Sequence, residues 1–179
     1  MDHQRLEKNI IDNIREAQLK LGYEERPISF NYLTSSLCHL LGTEDIEGGE
    51  LLDFLTYTYP RLGKVSFSPI RDGYCVTVSA EGTAYVHSHP DKSRFLMEFI
   101  ETVRNHHNTI EDVFAVFNRH SGNVTIEELH NEEFDYLVYF ADGIPDDYRY
   151  CLTLEPCMDG GCHITYHRFI PEDYEDLGF

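Results

Sequence analysis

At 179 residues with 41 % hydrophobic side chains, 12 Tyr and 11 Phe, the chain has material for one domain of ordinary size or two small ones with a packed interior. Its 32 Asp and Glu stand against 14 Lys and Arg, a formal net charge of −18, and so one-sided a surface repels polyanions and anionic membranes, which argues against nucleic-acid and membrane-surface functions. The polar start at Met1–Arg5, the lack of any apolar run of spanning length and five cysteines without a dense framework predict a cytoplasmic protein with free thiols.

From the N-terminus, Leu6, Ile10, Ile14, Ala17 and Leu21 recur at three and four residues and stop at Gly22, which predicts one long helix with a glycine cap. An extended piece, Ile28–Tyr32, precedes a second helix over Ser35–Leu41 closed by Gly42, and a third over about Glu50–Tyr59 closed by Pro60. Val65–Phe67 and Tyr74–Val78 alternate as strands around an Arg71-Asp72-Gly73 turn, and Glu81-Gly82 is expected to turn into a third strand, Thr83–Ser88. Helix, strand, helix, helix, hairpin is the order of a winged-helix module. Its third helix offers Glu47, Glu50 and Asp53 with no Lys or Arg up to Tyr59, a composition unsuited to reading DNA.

In the second half, Asp91 is expected to cap a helix whose stripe is Phe95, Leu96, Phe99, Ile100 and Val103, and Thr109-Ile110-Glu111-Asp112 to open another that buries Val113, Phe114 and Phe117. Three aromatic-rich runs follow, Phe134–Phe140, Tyr148–Leu154 and Cys162–Phe169, separated by turn residues; they predict an antiparallel meander. The acidic tail Glu172–Asp176 is expected to fray. The fold class is therefore α+β, with a winged-helix-like module over residues 1–90 and a helical pair plus antiparallel sheet over residues 91–179, packed together as one unit.

The segments Glu7-Lys8-Asn9, Lys20-Leu21-Gly22-Tyr23, Ser35-Ser36-Leu37, Glu133-Phe134-Asp135-Tyr136, Tyr148-Arg149-Tyr150-Cys151 and Tyr166-His167-Arg168-Phe169 resemble a bacterial family of small uncharacterised proteins, a domain of unknown function. The resemblance spans nearly the whole chain and implies no activity.

Three constellations carry possible chemistry. His87-Ser88-His89-Pro90, if it ends a strand, places two imidazoles on one face, where they can address one divalent metal such as zinc. It resembles part of the motif of metal-dependent deubiquitinating-type isopeptidases, but the Asp ligand that such a motif carries on the next helix has no counterpart in Phe95–Ile100. The plainer reading is a surface histidine pair. Cys157 and Cys162 flank a Met158–Gly161 turn with His163 and His167 nearby, a soft-ligand set for structural zinc, although His163 and His167 share a strand face opposite to that of Cys162. Two free thiols beside a turn is the plainer alternative. His106-His107, at a helix end, read as dipole partners.

The third constellation is the mix of tyrosine and carboxylate in the sheet, above all Tyr136, Tyr139, Asp142, Asp146 and Asp147. Tyrosine brings rigid apolar area with a polar tip, and carboxylates around it receive a basic partner. Residues 105–179 hold 16 acidic residues and only Arg119, Arg149 and Arg168 as cations, net −13, against −5 before them. The preferred reading is a non-catalytic protein, such as an inhibitor, immunity factor or regulator, that binds a basic protein surface and needs no cofactor. A metal-dependent hydrolase built on His87 and His89 is the alternative.

Overall fold

The computed structural model describes residues 1–179. Two compact units make up the chain, Met1–Asp91 and Lys92–Phe179. Together they hold seven helices and two antiparallel sheets, an α+β fold, and no helix is long and apolar enough to cross a membrane.

The N-terminal unit opens with α1 (His3–Leu21), whose first turn is capped by the Asp2 carboxylate accepting the Arg5 N–H at 2.9 Å. Its stripe of Leu6, Ile10 and Ile14 is fully buried with Leu37, Leu40 and Leu41 of α2 (Thr34–Leu41) and Phe54 and Leu62 of α3 (Gly48–Leu62). Each such side chain contributes on the order of 1.5–3 kcal/mol through burial. One carboxylate enters this interface: Glu7 accepts the Thr58 hydroxyl at 2.8 Å and the Arg61 Nε–H at 2.6 Å. The buried charge is tolerated because both its oxygens have donors. Strand β1 (Ile28–Leu33) pairs antiparallel with β3 (Gly73–Val78), which pairs with β2 (Val65–Ile70), so the sheet order is β1-β3-β2. Element order and sheet are compatible with a winged-helix module.

Two local expectations fail here. Helix α3 runs through Pro60 rather than stopping before it; the ring removes a single ladder bond, to the Thr56 carbonyl, and fully buried Leu62 anchors the turn beyond. Residues 83–88 are not a strand but the body of α4 (Ala80–Ser88), which starts at an Ser79 side-chain cap on Gly82. Gly82 is no turn residue. A methyl carbon there would lie 2.4 Å from the Leu62 carbonyl oxygen and 2.5 Å from Val78 Cγ1, so glycine lets α4 press against its neighbours, a use of glycine that periodicity does not reveal.

The C-terminal unit opens with α5 (Phe95–Arg104), preceded by Arg94 at φ 58° in place of the expected Asp91 cap. It continues with α6 (Ile110–His120), which begins at the expected Thr109 and Asp112 capping box. All five stripe residues of α5 are buried, as are Val113 and Phe117 of α6, while Phe114 is half-buried. The sheet has four strands in meander order, β4 (Val124–Glu128), β5 (Tyr136–Phe140), β6 (Arg149–Pro156) and β7 (Cys162–Phe169). Phe95, Phe99, Phe117, Phe140 and Tyr150 meet edge to face between helices and sheet, with centroids 4.9–5.7 Å apart along Phe95–Phe117, Phe95–Phe140, Phe95–Tyr150 and Phe99–Tyr150, the offset that ring quadrupoles favour. The acidic tail is ordered as α7 (Pro171–Asp176), where Pro171 sets the first turn and Glu172 and Asp173 face the positive end of the dipole.

Candidate functional site

His87 lies in the last turn of α4 and His89 is its C-cap, so strand geometry does not align the two imidazoles. Each ring has its own neighbour. His87 stacks on Tyr23 at 3.9 Å and 2°, and His89 stacks on Tyr85 at 4.1 Å while its Nδ1 donates to the Tyr85 carbonyl at 2.8 Å. The His89 carbonyl in turn accepts Arg15 Nη2 at 2.8 Å. These contacts use the pair to fasten the end of α4 inside the N-terminal unit.

The tyrosines and carboxylates of the sheet are also divided. Tyr136 and Tyr139 are three residues apart on β5, so they point to opposite faces. Tyr136 meets Phe114 of α6 at 5.4 Å, whereas the Arg149 guanidinium lies over the Tyr139 ring at 3.9 Å. On that outer face Tyr174 of α7 also sits, its hydroxyl held up by burial and by Cys151, Glu127 and Tyr139. The carboxylates mostly build the β5–β6 loop. Asp142 accepts Asn123 Nδ2 at 3.1 Å and the Ile144 N–H at 3.2 Å, and the Asn123 bond foremost keeps its carboxyl below the usual range. Asp146 accepts the Tyr148 N–H at 3.1 Å and the Tyr150 hydroxyl at 2.7 Å. Asp147 is exposed.

At the far end of the meander the β6–β7 hairpin closes with Cys162 opposite Pro156, which offsets Cys157 by one position. All five cysteines are free thiols. His163 pairs with Glu155 and His167 with Cys151 on the outer face, and His167 stacks on Phe169 at 3.9 Å. Cys162 points to the other face, so Cys157, Cys162, His163 and His167 do not converge. Burial, and next the Cys157 sulfur, push the Cys162 thiol up.

A different set does meet at this end. The loop after α5 presses on the hairpin: the Cys162 N–H donates to the His106 carbonyl at 2.9 Å, and a methyl carbon at Gly161 would lie 2.2 Å from that oxygen. The contact brings His106, His107 and Asp159 together, their ligand atoms all within 4.8 Å of one another. Asp159 Oδ1 accepts the Gly161 N–H at 3.1 Å and its Oδ2 lies 3.9 Å from His106 Nε2. The Gly161 bond, and then the two imidazoles, hold the Asp159 carboxyl below its ordinary value.

Beside the hairpin lies an open groove of about 430 Å³, lined by Glu128, Leu129, Asp135, Tyr136, Leu154, Pro156, Gly161 and Cys162. By register Glu128, Tyr136, Leu154, Pro156 and Cys162 share the sheet face that α5 and α6 cover further along. Asp135 Oδ2 accepts the Leu154 N–H at 2.7 Å, which fixes the carboxylate at the groove wall.

The family described as a domain of unknown function from an E. rectale gene description, DUF3877, matches residues 3–178. The chain belongs to this family. No curated protein and no solved structure matches it. Membership thus covers both units and assigns chemistry to neither.

Sequence reasoning passes over Glu128 and Asp159 and reads His106 and His107 only as dipole partners at a helix end. One signal for them was in the chain: Gly160-Gly161 after Asp159 marks a turn that another backbone approaches closely. What approaches it, the loop carrying His106 and His107, is a long-range contact that local patterns do not encode.

Proposed function

We propose that the C-terminal unit is a non-catalytic binding module for a basic protein segment, seated in the groove beside the β6–β7 hairpin. The observation that carries this reading is the groove's lining. Leu129, Leu154, Pro156 and the Tyr136 ring offer apolar area, with the Glu128 and Asp135 carboxylates at the wall, a combination suited to the aliphatic stem and cationic head of Lys or Arg. Residues 92–179 carry 18 Asp and Glu against 6 Lys and Arg, net −12, a field that draws in a cationic partner and speeds its encounter.

The test is binding of the full chain to a labelled Lys- and Arg-rich peptide, followed by fluorescence anisotropy across a salt series. Affinity is expected to fall with added salt, as the field is screened. Glu128→Lys is expected to weaken it by about tenfold or more, while Glu44→Lys, with the same charge change at an exposed site of the other unit, leaves it within about twofold. Equal losses in the two variants would mean that net charge alone attracts the peptide, and the groove reading fails.

A further inference from the structure

We infer that His106, His107 and Asp159 form a binding site for one divalent transition-metal ion, best matched to Zn²⁺. The donors are two imidazoles and one carboxylate, a set that zinc accepts in four-coordinate sites with solvent in the remaining position. Their ligand atoms lie within 4.8 Å of one another. Metal–ligand bonds of about 2.0–2.2 Å need donor separations of roughly 3.3 Å, a closure within reach of small side-chain rotations because all three residues are exposed.

The supporting structure is built toward that closure. Asp159 is aimed by the Gly161 N–H on Oδ1, which leaves Oδ2 turned to His106 Nε2 at 3.9 Å. The loop bearing the histidines is braced at both ends. Asn105 Oδ1 accepts the His107 N–H at 3.0 Å, and Asn108 donates from its backbone to the Asn105 carbonyl and from its side chain to the Thr102 carbonyl, each at 3.0 Å. The Cys162 N–H on the His106 carbonyl then ties loop to hairpin. Bonds of this kind orient ligands and lower the cost of assembling a site. The net −12 of the unit favours any cation that arrives.

The experiment is calorimetric titration of chelator-treated full-length protein with Zn²⁺ near neutral pH, paired with Co²⁺ as a spectroscopic probe. One ion per chain is expected. His106→Ala and Asp159→Asn should each weaken binding by about tenfold or more, and the Cys157→Ser/Cys162→Ser double variant should bind like wild type. The cobalt complex should lack thiolate charge-transfer absorption. The four residues changed are exposed or half-buried, so circular dichroism is expected to show each variant folded. Failure of the wild type to bind, binding that survives both His106→Ala and Asp159→Asn, or loss that follows the cysteines instead would overturn the assignment.

Discussion

A methyl carbon placed on Gly161 would sit 2.2 Å from the His106 carbonyl oxygen, the same atom that accepts the Cys162 N–H at 2.9 Å. Gly161→Ala therefore has to drive the hairpin off the loop or distort both. The expected cost is about 1–3 kcal/mol in urea denaturation, as for other overpacking changes. Gly122→Ala, where an added carbon meets nothing within 4 Å, should stay within about 0.5 kcal/mol of wild type. If the two variants are equally stable, the close approach is not a feature of the folded chain.

A second prediction concerns acid stability. Glu98 Oε2 accepts His120 Nε2–H at 2.7 Å, with Arg119 Nη2 3.7 Å away. The His120 bond is the main cause of a Glu98 carboxyl held below its ordinary value. A depressed carboxylate contributes its full stability above the unfolded pKa, about 4.3, and loses it as pH falls through the lower folded value. Because the Glu98 side chain is 32 % exposed, the expected contribution is only about 1 kcal/mol. Glu98→Gln should thus melt below wild type at neutral pH, and the gap should narrow as pH falls below about 4.3 and close once the folded carboxyl is protonated. Melting curves that run parallel over the whole range would show that the pair does not titrate as described.

Helices α1, α2, α5 and α6 were legible because each writes its own signal: an apolar stripe at three and four residues, a capping carboxylate or hydroxyl, or a glycine stop. The meander strands β5 to β7 were legible from aromatic alternation between turn residues. Strand β4 was not, since Val124-Thr125-Ile126 offers only two apolar residues on an edge where little is buried. Residues 83–88 misled for a related reason. Thr, Tyr and Val favour strands locally, yet the segment became α4 through an Ser79 cap and a glycine contact that belong to tertiary packing. The same distinction governs the candidate sites. His87 and His89 looked paired because they are close in sequence, whereas Asp159 joined His106 and His107 across about fifty residues, through a backbone contact with no sequence period.

The third prediction separates the five thiols. Cys151 is fully buried on the outer face of the sheet, and burial pushes its thiol up to about 12, while Cys38, Cys75, Cys157 and Cys162 are half-buried. Alkylating reagents attack the thiolate. At pH 8 a thiol titrating near 12 is ionised in roughly one molecule in ten thousand, against about one in four for an ordinary cysteine near 8.5. Steric exclusion acts in the same direction, because a reagent cannot reach the sulfur without local opening of the sheet. Native protein treated with iodoacetamide is therefore expected to take up label at the other four cysteines while Cys151 stays unmodified, and denaturant should release the fifth. Peptide mass spectrometry over a time course reads this directly. Early modification of Cys151 at a rate like that of Cys75 would mean that the outer face opens readily, and the packing of the C-terminal unit described above would have to be revised.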